Sequence, residues 1–136
     1  MKKVFLIDDD DDDRLLFQDA IEIINSSIEC DTAINGKVAF DKLHDSQTLP
    51  DIIFLDLNMP FMNGFDFLLQ IKKEEQFNKI PIGIFTTSNY IRDREMTKES
   101  GANFFLSKPT DFNLLCEKLE HIITTDFSTV EYINID

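Results

Sequence analysis

Asp51-Ile52-Ile53-Phe54-Leu55-Asp56, preceded by Pro50, is the stretch on which the fold turns. Four consecutive apolar residues between two acids, with no polar alternation, read as a short strand buried on both faces. The same kind of run recurs along the chain. Val4-Phe5-Leu6-Ile7 stops at the acids that begin with Asp8, and Ile28 to Ile34 is a weaker strand broken by Asn35-Gly36. Pro81 opens Ile82-Gly83-Ile84-Phe85, which ends in Thr86-Thr87-Ser88, and Asn103 to Ser107 is a fifth strand.

Helical patterns fill the intervals. Leu16, Ala20, Ile23 and Ile24 form the expected stripe of a helix over Asp13 to Ile24, and Ala39, Phe40 and Leu43 mark a short second one. Asn63-Gly64 starts a third, carrying Phe65, Leu68, Leu69 and Ile71. Tyr90 to Ser100 is mostly polar, with Ile91 and Met96 as anchors and Gly101 as a C-cap. Asp111 is a good N-cap for a last helix with the stripe Phe112, Leu115, Cys116, Leu119, Ile122 and Ile123. Alternating strands and helices of this length predict an α/β protein with a doubly wound parallel sheet. Right-handed crossovers leave few topologies, of which (βα)5 with strand order 2-1-3-4-5 is the expected one.

Length and charge narrow the function. With 136 residues, 43% of them apolar, the chain holds one domain with a real core. Residues 1–123 make that domain; 124–136 is an extension whose apolar residues Phe127, Val130, Tyr132, Ile133 and Ile135 leave docking and fraying equally open. The formal charge of −13 comes from 26 acidic and 13 basic residues. It disfavours nucleic acid and anionic membranes and suits divalent cations and basic proteins. Cys30 and Cys116 have no metal or redox spacing and read as buried free thiols in a reducing cytoplasm. No apolar run reaches spanning length and no signal-peptide core follows Met1. The expected location is cytoplasmic.

In an open parallel sheet, sites form beyond the C-terminal strand edges, where strand order reverses. In the predicted order that point lies between the first and third strands, which deliver Asp8, Asp9 and Asp56. Three packed carboxylates raise one another's pKa and call for a cation, and an all-oxygen set favours Mg²⁺ or Ca²⁺ over zinc. The fourth strand delivers the Thr86 hydroxyl and the fifth the Lys108 ammonium. Together these groups form a cradle for a phosphoryl group, with Asp56 as nucleophile.

Across residues 1 to about 123 the chain resembles the response-regulator receivers, in the order Asp8-Asp9, Asp56, Thr86 and Lys108-Pro109. The 30 residues from Asp56 to Thr86 and the 22 from Thr86 to Lys108 match that family's chemotaxis receiver. Asp56-Leu57-Asn58-Met59-Pro60 followed by Asn63-Gly64 is similar to its phospho-acceptor loop. The resemblance implies a flavodoxin-like fold, with Mg²⁺ held by the side chains of Asp9 and Asp56 and the backbone carbonyl of Asn58, and Asp8 acting mainly through water. It implies phosphate accepted on Asp56 from a sensor histidine kinase or histidine phosphotransfer protein, with Thr86 and Lys108 contacting the phosphoryl group. Phe105 takes the place of the switch aromatic, turning inward as Thr86 moves, and Ser88 that of a residue tuning dephosphorylation. Pro109 is a candidate for a cis peptide bond. Output would pass to a downstream protein through the fourth helix, fifth strand and fifth helix, or phosphate would move along a relay.

The sequence also departs from the pattern. Phe105 has no phenolic hydroxyl, so only a packing form of the switch is open to it. Six acids, Asp8 to Asp13, exceed the need, and Asp10 to Asp13 are assigned to capping the first helix. Taken alone, the acidic run reads more readily as a solvated helix cap than as a site. His44 and His121 have no partner motif and read as surface residues. Two other functions compete. Haloacid-dehalogenase-like phosphatases share an Asp nucleophile but want a second Asp two residues on, where Asn58 stands. A receiver-like fold without phosphorylation would not need all five site positions filled.

Overall fold

The computed structural model describes residues 1–60 and 62–135. Its elements run β1 (Lys3–Ile7), α1 (Asp11–Ile24), β2 (Glu29–Ala33), α2 (Gly36–Asp45), β3 (Ile52–Leu55), α3 (Gly64–Lys72), β4 (Ile82–Thr86), α4 (Ile91–Glu99), β5 (Phe105–Ser107) and α5 (Phe112–Ile123). All four strand pairings are parallel and the order is β2-β1-β3-β4-β5.

Because side chains alternate across a strand, each apolar run feeds both faces of the sheet. Ile53 and Leu55 of β3 join Phe40 and Leu43 of α2 and Phe67, Leu68 and Ile71 of α3 on one side. Ile52 and Phe54 join Phe17, Ala20 and Ile21 of α1 and Leu115, Leu119 and Ile122 of α5 on the other. Phe54 is fully buried among Phe17, Phe85 and Phe104, at ring separations of 5.0, 6.4 and 5.2 Å. Sheltering a side chain of that size contributes about 2–3 kcal/mol.

Three helical stripes differ from the sequence reading. In α1 the inward residues are Phe17, Ala20 and Ile21, while Leu16 and Ile23 are exposed. Leu15, Leu16 and Phe17 are all apolar, so the stripe fits two phases one residue apart, and the larger aromatic takes the core. In α3, Phe67 packs inward and Leu69 faces out. In α4, Ile91 is 72% exposed and Met96 38%, and the one buried residue is Thr97. Its hydroxyl donates to the Asp93 carbonyl at 2.8 Å, which satisfies it inside the helix. Gly101 follows α4 with φ +102°, the left-handed geometry that ends a helix.

Residues 131–135 fold back onto the approach to β5 and onto α5. The Ile133 N–H donates to the Asn103 carbonyl at 3.0 Å, Asn103 Nδ2 to the Glu131 carbonyl at 2.7 Å and Lys118 Nζ to the Ile135 carbonyl at 2.8 Å. Ile135 is buried in the α1/α5 core. This segment covers part of an otherwise open sheet edge; residue 136 lies outside the described residues.

Gly83 shows how tightly β4 is enclosed. A Cβ there would lie 2.2 Å from the Phe104 ring. Gly83→Ala must push that buried ring aside, and urea unfolding is expected to show a loss of about 1–3 kcal/mol.

Candidate functional site

Parallel register decides which residues meet. Ile7 lies beside Leu55, so Asp8 and Asp56 leave neighbouring strands at one level, and the Asp56 N–H donates to the Ile7 carbonyl at 3.0 Å. On the far side Thr86 pairs with Ser107, and the Lys108 N–H donates to the Thr86 carbonyl at 2.7 Å. The same C-terminal edge therefore carries all four groups. Carboxylate oxygens of Asp8, Asp9 and Asp56 lie within 4.8 Å of one another. Asp8 is fully buried, Asp56 nearly so, and Asp9 is exposed.

Lys108 Nζ sits among the acids, 2.7 Å from Asp8 Oδ2, 2.7 Å from Asp13 Oδ2 and 3.4 Å from Asp56 Oδ2. The contact with Asp8 is a charge contact; the aligned hydrogen bonds of the ammonium go to Asp13 and Asp56. Burial pushes the Asp8 carboxyl up to about 6, although Lys108 and the Asp10 N–H, which donates to Asp8 Oδ1 at 3.0 Å, both favour its anion. Burial also works against the Lys108 charge, but its hydrogen bond to Asp13, its close contact with Asp8 and the charge of Asp56 hold it above the ordinary lysine range. The ammonium is permanent; Asp8 is the group whose ionisation is costly.

Thr86 is fully buried, and its Oγ1 has no hydrogen-bond partner among the described residues. An unsatisfied buried hydroxyl costs about 1–3 kcal/mol. A donor of this kind, with an ammonium and a cluster of carboxylates at the same sheet edge, is suited to the oxygens of a tetrahedral oxyanion.

The model of the response regulator receiver domain matches residues 4–120. The chain belongs to that family. The receiver is 30% identical over 123 residues to the probable methanogenesis regulatory protein FilR2 of Methanothrix harundinacea, covering 88% of this chain and 79% of that one. Its fold superposes on the phosphorylated cyanobacterial phytochrome response regulator RcpA with a TM-score of 0.84 at 28% identity, covering 95% and 96% of the two chains. The Mn²⁺-bound form of the response regulator Rcp1 gives 0.74 at 25% identity, over 100% and 99%. The match spans only 13% to 64% of the length of four further relatives, one of them the sensor histidine kinase CheAY of Helicobacter pylori.

The receiver brings Asp8, Asp9, Asp56, Thr86 and Lys108 to one edge. Asp8 also meets Lys108 directly. Asn58 lies beside them, its backbone N–H donating to Asp56 Oδ1 at 3.3 Å. Ser88 is tied down, its hydroxyl donating to Asp93 Oδ2 at 2.7 Å. Phe105 is already inside, 1% exposed, with the Arg94 guanidinium 4.6 Å from its ring centroid. In this state the ring already occupies the inward position. The expectation of a cis bond before Pro109 is corrected: every described peptide bond is trans. Lys108 reaches the acids from the trans form, which X–Pro bonds prefer.

Asp13 is the residue that the sequence reading missed. Asp10 is the N-cap of α1, accepting from the Asp13 N–H at 2.9 Å, while the Asp13 carboxylate turns to Lys108. No local pattern marks it, since the partner lies 95 residues away.

Proposed function

We propose that this receiver takes a phosphoryl group from a phosphohistidine onto a side-chain oxygen of Asp56, in a reaction that needs Mg²⁺. The observation that carries the reading is the buried Thr86 hydroxyl, without a partner among the described residues, at the sheet edge that gathers the Asp8, Asp9 and Asp56 carboxylates and the Lys108 ammonium. As the Asp56 oxygen bonds to phosphorus, the P–N bond to the donor imidazole breaks and its electron pair leaves with the ring. Thr86 Oγ1 donates to one phosphoryl oxygen and Lys108 Nζ pairs with another. The three carboxylates, all oxygen donors with no His or Cys among them, fit a hard divalent ion. Such an ion would be held by Asp8, Asp9, Asp56 and the Asn58 carbonyl, and supplies positive charge against the transferring oxygens.

The receiver is then a phospho-acceptor rather than a turnover enzyme: the position two residues after the nucleophile is Asn58, which offers no general acid. Its donor is a sensor histidine kinase or a histidine phosphotransfer protein, a reading supported by the likeness to part of the sensor histidine kinase CheAY. Output runs through α4, β5 and α5 to a protein target, or the phosphate passes along a relay, in the cytoplasm. No described helix is long and apolar enough to cross a membrane. We read residues 1–123 as the receiver unit and 124–136 as its extension. Phe105 and Ser88 act as switch and tuning residues from the positions described. Incubation with acetyl phosphate and Mg²⁺, followed by intact mass, is expected to show one added phosphoryl group that does not form in EDTA; no adduct under either condition contradicts the proposal.

Metal and protons compete for Asp8. Its folded pKa of about 6 lies above the ordinary 3.8, so between those values the folded chain holds a proton that the unfolded chain has released. Without metal, this group's stabilisation is present below about pH 4, falls as pH rises through 6 and is flat beyond, on the order of 3 kcal/mol in all. Mg²⁺ must displace that proton at low pH. Thermal unfolding is therefore expected to show Mg²⁺ stabilising the chain much more at about pH 7.5 than at about pH 5. The gain at high pH is about 2.7 kcal/mol at a hundred times Kd. An equal Mg²⁺ effect at both pH values would mean that protonation of Asp8 does not oppose the metal.

A further inference from the structure

We infer that Asp13 is a positioning residue for Lys108: its carboxylate draws the ammonium towards α1 and competes for it with a group on Asp56. The inference rests on the phospho-acceptor reading above. It begins from an asymmetry in the distances. Lys108 Nζ lies 2.7 Å from Asp13 Oδ2 but 3.4 Å from Asp56 Oδ2, so the ammonium sits towards α1 rather than over the acceptor.

Asp13 is fixed where it is. It lies in the first turn of α1, its N–H bonded to the Asp10 cap, and its carboxylate reaches the Lys108 ammonium at the sheet edge. Neighbouring Arg14 does not neutralise it, since that guanidinium donates to the Asp8 carbonyl at 2.7 Å and pairs with Asp11. Lys108 has a flexible stem, and its Nζ lies 5.5 Å from the Phe85 ring centroid, an apolar neighbour that does not fix it, so a short swing of the ammonium is open to it.

A cation held by Asp8, Asp9 and Asp56 would repel the ammonium from Asp8. Two seats then remain, Asp13 on one side and the oxygens on Asp56 on the other. Each arrangement satisfies the lysine charge, and the difference between them sets how strongly a phosphoryl group on Asp56 is held. Asp13 therefore lowers the affinity of the site for a phosphoryl group by offering Lys108 an alternative.

Beryllofluoride with Mg²⁺, a stable mimic of an aspartyl phosphate, reads this directly in titrations of the full chain. Asp13→Asn is expected to bind it about fivefold more tightly than the unsubstituted chain, the worth of one partly exposed ion pair at 1.4 kcal/mol per tenfold. Asp13→Glu, which keeps the carboxylate, is expected to return to within about twofold of the unsubstituted chain. Asp12→Asn removes the same charge from the same turn and is expected to change little. In a Lys108→Met background the effect of Asp13→Asn should vanish. A purely structural Asp13 would lower thermal stability without tightening binding. The inference is overturned if Asp13→Asn binds equally or more weakly, if Asp12→Asn gains as much, or if the gain survives in Lys108→Met. Failure of the unsubstituted chain to bind the mimic at all would instead remove the phospho-acceptor reading, and this inference with it.

Discussion

Asp56→Asn is expected to abolish the phosphoryl adduct formed from acetyl phosphate and Mg²⁺, as read by intact mass, while leaving a folded protein. The amide oxygen of Asn carries no full negative charge and is a poor nucleophile towards phosphorus. The substitution also removes one of three carboxylates available to the cation. The fold should survive because Lys108 keeps Asp8 and Asp13, both at 2.7 Å. Asp56 is nearly buried, and its charge is one of the influences that raise the Asp8 carboxyl. Its removal relieves repulsion, so metal-free thermal stability is expected to be unchanged or higher. An adduct of undiminished yield in Asp56→Asn would move the acceptor elsewhere, with Asp9 the first alternative to map.

Gly64→Ala is expected to cost about 3 kcal/mol or more, the upper end of what overpacking does, and to suppress phosphorylation together with the fold. A Cβ at this position would fall 2.1 Å from the Asp56 carbonyl oxygen and 2.7 Å from Leu57 Cα. Both are backbone atoms of the acceptor loop, held by β3 on one side and by the Gly64 N–H bond to the Leu57 carbonyl at 3.0 Å on the other. Neither can turn aside as a side chain can. Gly36→Ala is the contrast: its Cβ would meet Met62 Sδ at 2.8 Å, the far end of a flexible thioether, and a loss well under that of Gly64→Ala is expected. Urea unfolding of the two variants separates them. Equal, small losses would mean that α3 and the acceptor loop are not locked as described.

These residues also show what was legible beforehand. The strands were readable because a sheet covered on both faces demands continuous apolar runs, and Ile52 to Leu55 has no other interpretation at that length. Their order and the edge that gathers Asp8, Asp9, Asp56, Thr86 and Lys108 followed from topology and from the resemblance. The stripe of α1 was misplaced by one residue because Leu15-Leu16-Phe17 gives no local reason to prefer a phase; only the partners Phe54 and Phe85 choose Phe17. Helix α4 has too few apolar residues to carry a periodic signal, and it buries a threonine by bonding it to its own backbone. Asp13 was hidden for a different reason. An acid in the first turn of a helix already has a sufficient local explanation, so a contact with Lys108 across the fold leaves no trace in the sequence.

The most direct test is a structure of the full chain with Mg²⁺ and beryllofluoride bound. The expected result places beryllium on a side-chain oxygen of Asp56 and the metal among Asp8, Asp9 and Asp56. The Thr86 hydroxyl and the Lys108 ammonium would then each lie within hydrogen-bonding reach of a fluoride. Beryllofluoride bound at another residue, or Thr86 and Lys108 both turned away from it, would contradict the phospho-acceptor assignment.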